Sequence, residues 1–443
     1  MAKKLTYTDI LQQYHPGDKE FHQAVHEVFE DIMPAYKKES SYKSSAVLEQ
    51  LLEPDRILRF RVSWQDDDGA IQVNRGWRVQ YNNALGAYKG GLRLHPTVNE
   101  SILKFLGFEQ CFKNALTGLP MGGAKGGSDF DPKDKSDAEI LRFCQSFMSE
   151  LYRHIGPQVD VPAGDINVGA REIGYMQGHY LKLTNRWEGA LTGKGETWGG
   201  SAGRTEATGY GLIYFLKNML DAHDGKLSEK KILISGAGNV ALHAAEKCLA
   251  EDATVLTLSD SGGTLYFKNG LDETTLKKIK KIKLEEHGSL KDLKEGSFRK
   301  GKNPWDIVDA DIALPCATQN EIEKDSAKKL VARGITYLAE GANMPLTADA
   351  QDVIMKKGII YGPGKASNAG GVAVSGLERT QNASLKPWTF EQVDSELQSI
   401  MSAIHDRSVE NIRRSDGIYH YRKGANIYGF KKLANALVAY GMK

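Results

Sequence analysis

The segment that most constrains the fold is KILISGAGNVALHAAEKCLAEDATVLTLSD, which begins at Lys231. A β-branched strand pattern runs into Gly236, Gly238 and Ala241, a GxGxxA arrangement, and a helical pattern follows. The first glycine permits a tight turn, the second lets a pyrophosphate approach the backbone, and the small Ala241 lets the helix pack closely on the strand. The free N–H groups at the start of that helix favour phosphate binding. The segment predicts a Rossmann-type dinucleotide-binding unit.

The end of the second strand indicates which dinucleotide binds, but it leaves two alternatives open. Asp260 stands where an acidic residue reads the free 2′-hydroxyl of NAD. Ser259 and Ser261 flank it, and hydroxyl and ammonium groups favour the 2′-phosphate of NADP. The lysines that follow could supply that charge or could form a solvated helix face. They are Lys277, Lys278, Lys280, Lys281 and Lys283.

The order of the remaining patterns predicts an α/β chain of more than one domain. ILRFRVSW, the turn DDDG and IQVNRGWRVQYN alternate apolar with polar residues, as in a hairpin of half-buried strands. Thr97 with Glu100, and Ser136 with Glu139, have the spacing of helix capping boxes. WGGSAGRTEATG at 198–209 is typical of a hinge, and strands alternate with helices after it, as in a parallel sheet.

Charge and cysteine content exclude several classes of protein. Lysine and arginine number 58 against 56 acidic residues, a net charge of +2, so no nucleic-acid partner is expected. The four cysteines form no CxxC pair, and His22 and His26 lack a third ligand, so no metal site is expected. No apolar leader and no run of about 18 apolar residues is present, which favours a cytoplasmic location without a membrane span.

Several lysines stand beside glycines and predict a pocket for anions. Lys89 lies in YKGGLRLHP, Lys125 in GGAKGG and Lys365 in GPGKASNAGG, which we interpret as glycine-rich loops. Lys113 follows Gln110 by three residues on a predicted helix, so the two side chains share a face. Ammonium groups close together depress one another's pKa, so one lysine could act as a base. Asp165, in PAGD at a strand end, is a candidate proton-transferring acid.

The chain resembles the hexameric glutamate dehydrogenases of bacteria and lower eukaryotes over almost its whole length. The matching stretches are YKGGLRLHP, GFEQCFKNALTGLPMGGAKGGSDFDPK, DVPAGDINVGAREIGYM, GGSAGRTEATGYG, SGAGNVA, CATQNE, EGANMP and GPGKASNAGGVAVSGLE. The resemblance implies a two-domain α/β amino-acid dehydrogenase fold. Residues 1–200 would form a substrate-binding and oligomerisation domain, 201–420 a Rossmann-type NADP-binding domain, and 421–443 a C-terminal segment packing back on the first domain.

The same resemblance implies a role for each residue of the lysine-rich pocket. Lys125 would be the catalytic lysine, and Asp165 its acid–base partner. The substrate α-carboxylate would be read by Lys113, Gln110 and the Gly164 main chain. Its distal γ-carboxylate would be read by Lys89 and Ser375.

The resemblance also implies a set of cofactor contacts, with Asn368 near the nicotinamide. The SDSGGT segment at 259–264 is similar to that of NADP-preferring members, so NADP is favoured over NAD. The predicted contacts are Arg204, Thr208, Gly236, Gly238, Asn239, Val240, Asp260, Ser261, Lys283, Ala317, Asn343 and Asn368.

The resemblance implies reversible conversion of L-glutamate to 2-oxoglutarate and ammonium by a homohexamer. Leucine- or phenylalanine-type relatives replace the side-chain readers with apolar residues, and Lys89 and Ser375 argue against that reading. A catalytically silent NADP-binding protein is a second alternative, against which Lys125 and Asp165 argue. A third is an RNA-binding protein that uses the lysine run, against which the balanced charge argues.

Overall fold

The computed structural model describes residues 6–410, 412 and 417–442. Its contacts divide the chain into two compact units. So far as their residues are described, unit 1 contains Met1–Ala202, Val374–Val393 and Asn426–Lys443. Unit 2 contains Gly203–Ala373 and Asp394–Ala425.

Unit 1 combines helices with a five-stranded sheet of order β1-β2-β4-β3-β5. Its helices before residue 203 are α1 (Tyr7–Tyr14), α2 (Lys19–Lys38), α3 (Ser40–Ser44), α4 (Val47–Leu52), α5 (Glu100–Thr117), α6 (Asp137–Leu151) and α7 (Ala170–Thr184). Its strands are β1 (Arg56–Gln65), β2 (Ile71–Asn82), β3 (Tyr88–Leu94), β4 (Gly123–Ser128) and β5 (Asp160–Gly164).

The predicted hairpin is confirmed, since β1 and β2 pair antiparallel from Arg56 opposite Gln80 to Gln65 opposite Ile71. The predicted capping box at the start of α6 is also confirmed by reciprocal hydrogen bonds between Ser136 and Glu139. The predicted Thr97–Glu100 box is wrong. The cap of α5 is Asn99, whose side chain accepts from the backbone N–H of Ile102 and so satisfies a free donor of the first turn.

The two glycine-rich segments around Lys89 and Lys125 are strands, not the predicted loops. β3 pairs parallel with both β4 and β5 in the interior of the sheet. A Cβ at Gly90 would lie 1.7 Å from the Ala124 carbonyl oxygen. The glycines therefore permit close strand packing, a use that sequence periodicity does not reveal because glycine has no side chain to alternate.

A buried aromatic and aliphatic cluster holds α6 and α7 against the sheet of unit 1. Phe130 stacks on Phe143 with ring centroids 3.9 Å apart, and Phe143 of α6 is fully buried. Ile173 and Met176 of α7 belong to the same cluster. Leu92 and Leu94 of β3 also belong to it, so its burial helps to fix the strand that carries Lys89.

Unit 2 contains the predicted parallel sheet, in the order β12-β11-β10-β6-β7-β8-β9. Strands β12 to β7 run parallel, whereas β8 and β9 add an antiparallel edge that the sequence analysis missed. The strands are β6 (Lys231–Ile234), β7 (Thr254–Asp260), β8 (Gly263–Tyr266), β9 (Ser297–Lys300), β10 (Ile312–Leu314), β11 (Tyr337–Ala339) and β12 (Ile360–Gly362). The helices are α8 (Ala207–Asp221), α9 (Asn239–Ala250), α10 (Glu273–Lys280), α11 (Lys324–Ala332), α12 (Ala348–Lys356) and α13 (Gly364–Ser367).

The chain passes between the two units three more times, once within each of the last three helices. They are α14 (Gly370–Ser384), α15 (Phe390–Glu410) and α16 (Tyr421–Tyr440). The break after residue 202 lies near the predicted boundary at 200, but 374–393, which the prediction placed in the dinucleotide domain, packs in unit 1. The reason is local, because Arg379 donates to the carbonyl oxygens of Pro120 and Pro157.

The described residues contain neither a membrane-spanning helix nor a cluster of metal ligands. In residues 6–410, 412 and 417–442, no helix has the length and apolarity needed to cross a membrane. The same residues contain no group of three or more His, Cys, Asp or Glu side chains placed to hold a metal ion.

Candidate active site

The neighbouring strands β4, β3 and β5 bring together the two residues predicted to be catalytic. Lys125 lies in β4 and Asp165 directly follows β5, and Lys125 Nζ is 2.9 Å from Asp165 Oδ1. The strand between them is β3, in which a Cβ at Gly91 would lie 2.9 Å from that of Asp165. Gly91 therefore leaves the space that the Asp165 side chain occupies beside β3.

Arg93 is a third member of this charged cluster, and the sequence analysis missed it. Its Nε donates to Asp165 Oδ2 at 2.7 Å. Once β3 is recognised as a strand, its period of two residues places Lys89, Gly91 and Arg93 on the same face, which indicates Arg93 as a neighbour of the site. The cluster therefore holds two cations around one carboxylate.

Burial and charge shift the protonation equilibria of this cluster. Burial lowers the pKa of the Lys125 ammonium; Asp165 opposes this shift, and the Arg93 guanidinium adds to it. Burial alone would raise the pKa of Asp165, but Lys125 and Arg93 hold it well below its ordinary range. Asp165 is therefore a carboxylate at neutral pH, and Lys125 loses its proton more readily than an exposed lysine does.

Lys89 and Ser375 are brought together through a residue that no sequence pattern indicated. Lys89, which is only 1% exposed, donates from Nζ to Thr192 Oγ1 at 2.8 Å. The Thr192 hydroxyl lies 2.6 Å from that of Ser375, on α14. Thr192 and Ser375 are also buried, so the three side chains form a polar set inside unit 1.

Gln110 and Lys113 share a face of α5, as predicted, and both are half-buried. The Gln110 amide donates to Asn114 Oδ1 at 2.7 Å. The fully buried Asn114 in turn donates to the carbonyl oxygens of Lys89 at 3.2 Å and Gly122 at 2.5 Å. Asn114 therefore links Gln110 of α5 to β3 and to the residues before β4. Gly164, the remaining predicted reader, ends β5 opposite Leu92.

The predicted phosphate loop lies in unit 2 between β6 and α9, and its geometry fits a dinucleotide. Gly236 has a φ of +87°, which favours glycine, and its N–H donates to Ser259 Oγ at 2.9 Å. A Cβ at Gly238 would meet nothing within 4 Å, so the space beside the start of α9 is open. Asn239 and Val240 form the first turn of that helix, and both are half-buried. A pyrophosphate can therefore approach these N–H groups closely.

Asp260, at the end of β7, is hydrogen-bonded within the chain. Its carboxylate accepts from the N–H groups of Gly262 at 3.0 Å and Leu290 at 2.8 Å, and from Ser289 Oγ at 3.2 Å. Lys283 Nζ lies 3.4 Å away, on a π-helical turn at Lys281–Glu285. Burial alone would raise the pKa of Asp260, but the two N–H groups and the Lys283 ammonium lower it. The predicted contacts Asp260 and Lys283 therefore adjoin, and Ser261 is exposed beside them.

Two predicted cofactor residues that are far apart in sequence meet after β11 and α13. Asn368 Nδ2 donates to Asn343 Oδ1 at 3.2 Å and to the Ala342 carbonyl oxygen at 2.9 Å. Asn343 is exposed, whereas Asn368 is buried. The contact holds the two amides as one polar pair within unit 2.

The other predicted contacts lie near glycines of unit 2. A Cβ at Gly371 would be 2.5 Å from Thr208 Oγ1 and 3.6 Å from Arg204 Nη1, so both side chains adjoin this glycine. Ala317 is exposed after β10, and a Cβ at Gly236 would lie 3.2 Å from its Cα. Ala317 therefore adjoins the phosphate loop.

Two protein-family models match successive segments of the chain. Residues 54–182 match the Glu/Leu/Phe/Val dehydrogenase dimerisation domain. Residues 199–441 match Glutamate/Leucine/Phenylalanine/Valine dehydrogenase.

Relatives with similar sequence and structure cover nearly the whole chain. The NADP-specific glutamate dehydrogenase of Psychrobacter sp. (strain TAD1) is 55% identical over 430 residues, 96% of each chain. That of Giardia intestinalis is 52% identical over 438 residues, 98% of this chain and 97% of the relative. The crystal structure of Plasmodium falciparum glutamate dehydrogenase superimposes with a TM-score of 0.95 at 48% identity, covering 99% of this chain and 94% of the other. The chain therefore belongs to the Glutamate/Leucine/Phenylalanine/Valine dehydrogenase family.

Proposed function

We propose that this chain catalyses the reversible oxidative deamination of L-glutamate to 2-oxoglutarate and ammonium, with NADP as the hydride acceptor. The observation that carries the proposal is the buried set Lys89, Thr192 and Ser375 in the unit that holds Lys125 and Asp165. A carboxylate bound there gains charge-assisted hydrogen bonds. An apolar side chain would instead be buried against an ammonium group, which is unfavourable.

The two ends of the substrate require two sets of groups. We assign the γ-carboxylate to Lys89 and Ser375, and the α-carboxylate to Lys113, Gln110 and the Gly164 main chain. Asn114 supports this assignment because it hydrogen-bonds the Gln110 amide and also the Lys89 backbone. Binding both carboxylates fixes the position of Cα and removes most of the orientational freedom of the substrate.

Lys125 and Asp165 supply the proton transfers at Cα. When bound, the nicotinamide accepts the hydride from Cα, which leaves a carbon–nitrogen double bond in the substrate. Neutral Lys125 then takes a proton from water as the oxygen attacks Cα. The Asp165 carboxylate accepts that proton from the Lys125 ammonium and relays it to the substrate nitrogen. The carbon–nitrogen bond then breaks, the hydroxyl proton returns to neutral Lys125 as the carbonyl forms, and ammonia leaves. The lowered pKa of Lys125 suits the first role.

The pH dependence of this step is predicted to respond to Arg93. Replacing Arg93 with Gln removes a positive charge that lowers the pKa of both Lys125 and Asp165. Both pKa values should therefore rise, and the rising limb of kcat/KM for glutamate, which we assign to loss of the Lys125 proton, should move to higher pH. The profile is measured by initial rates from pH 6 to 10. Arg142→Gln, which removes a surface guanidinium paired with Asp67, serves as a control that leaves the limb in place. A limb that stays fixed in Arg93→Gln would show that Arg93 does not tune this cluster.

We assign NADP to the contacts that the resemblance implied in unit 2. Lys283 beside Asp260 supports NADP, because the lysine ammonium offsets the acid where a 2′-phosphate would lie. The test is the initial rate of 2-oxoglutarate amination by ammonium with NADPH or NADH. We expect kcat/KM for NADPH to be higher by at least about tenfold, equivalent to ~1.4 kcal/mol. Equal or higher values for NADH would contradict the assignment.

We also propose a homohexamer in the cytoplasm, without nucleic-acid or membrane partners. The match of residues 54–182 to a domain described as a dimerisation domain supports assembly. Sedimentation of the purified chain tests the hexamer, and a single species at the monomer mass would contradict it.

A further inference from the structure

Thr192 joins the two side chains assigned to the γ-carboxylate, but it lies outside the helices and strands of unit 1. Its hydroxyl is 2.8 Å from Lys89 Nζ and 2.6 Å from Ser375 Oγ. Its backbone N–H donates to the Pro162 carbonyl oxygen at 3.0 Å. The position of this hydroxyl therefore depends on how the segment around residue 192 is held.

Glu378 holds that segment from the same helix that carries Ser375. It follows Ser375 by three residues on α14, so the two share a face, and it is fully buried. Its Oε2 accepts from the Gly193 N–H at 2.9 Å, and its Oε1 accepts from Lys194 Nζ at 2.7 Å. The carboxylate therefore fixes the two residues that follow Thr192.

Lys194 also holds the residue that precedes Thr192. Its ammonium, on a side chain only 2% exposed, also donates to the Leu191 carbonyl oxygen at 2.5 Å. One ion pair thus holds residues 191, 193 and 194 against α14. Such a pair is electrically balanced, whereas either member alone would leave a buried charge without compensation.

We propose that the Lys194–Glu378 ion pair is a positioning device for substrate specificity, which fixes the Thr192 hydroxyl between Lys89 and Ser375. The pair hydrogen-bonds Leu191 and Gly193, the two neighbours of Thr192, and so acts through Thr192. This inference rests on the proposed function and deepens it, since it explains how the two readers keep a spacing suited to one carboxylate.

The test removes both charges at once, so that neither is left buried alone. In Lys194→Met/Glu378→Gln, we expect kcat/KM for glutamate, relative to that for norleucine, to fall by about tenfold or more. Norleucine has no side-chain carboxylate and so does not depend on the spacing of the readers. Most of the change should appear as a higher KM for glutamate. The matched control is Lys104→Met/Asp18→Asn, which removes another ion pair of unit 1 and should leave the ratio within twofold.

The ratio separates positioning from a purely structural role. If the double variant loses activity on both substrates equally, or keeps the original ratio, the proposal is overturned. If the double variant does not fold, Glu378→Asp is used instead, because it keeps the charge but shortens the side chain that pairs with Lys194. An unchanged glutamate-to-norleucine ratio in Glu378→Asp would also overturn the proposal. The unaltered protein is assayed first, because failure to turn over glutamate would contradict the proposed function and not this inference.

Discussion

Lys125→Ala should abolish turnover of glutamate while leaving the affinity for NADPH nearly unchanged. The loss should be at least about 10²–10⁴-fold in kcat, the usual contribution of a positioned base. Lys125 is buried beside Asp165 and loses its proton readily, so its removal takes away the group assigned to activate water. Asp165 keeps its Arg93 partner, so the substitution does not leave that carboxylate without a cation. Steady-state rates and a fluorescence titration with NADPH measure the two quantities.

A surface lysine provides the control for this experiment. Lys133→Ala removes an exposed side chain of unit 1 and should keep both kcat and NADPH affinity within about twofold, as surface substitutions usually do. If Lys125→Ala retained activity within tenfold of the original protein, Lys125 could not be the base. A parallel loss of NADPH binding would instead indicate general misfolding.

Replacing Lys89 with Leu and Ser375 with Val should convert the specificity from a charged to an apolar side chain. Glutamate would then bury a carboxylate without its ammonium partner, which costs several kcal/mol. Since ~1.4 kcal/mol corresponds to a factor of ten, the glutamate-to-norleucine ratio of kcat/KM should fall by on the order of a thousandfold. The groups assigned to the α-carbon end are unchanged, so the chemistry should continue with norleucine or methionine.

The single variants show whether the two readers act together. Because Thr192 hydrogen-bonds both Lys89 and Ser375, the sum of the two single effects should differ from the effect of the double change. A double variant that folds, binds NADPH and keeps the original ratio would show that other residues read the γ-carboxylate.

The fold was predictable where periodicity or turn chemistry is strong. The β1–β2 hairpin, the cap of α6 and the β6–α9–β7 unit all follow from alternation, capping residues and the GxGxxA spacing. The strands β3 and β4 were missed because their glycines carry no side chains whose alternation could be read. The antiparallel strands β8 and β9 were also missed; β9, at the edge of the sheet, has no buried residue and so lacks an apolar strand pattern.

The candidate site was predictable only as a set of residue types. The resemblance selected Lys125 and Asp165, and the structure adds their 2.9 Å contact. Arg93 required knowledge of the strand, because only the strand puts it on the face of Lys89. Thr192 and Glu378 were recognisable only from contacts between residues 103 or more positions apart, which one sequence does not encode in any local pattern.

The most direct test of the central claim is the substrate preference of the unaltered chain. The measurement is kcat/KM with NADP⁺ for glutamate, leucine, phenylalanine and valine, the four substrates that the family description names. A site built to hydrogen-bond a substrate carboxylate should favour glutamate by at least about a hundredfold over each apolar amino acid. A kcat/KM for any apolar amino acid equal to or above that for glutamate would contradict the claim that Lys89, Thr192 and Ser375 read a γ-carboxylate.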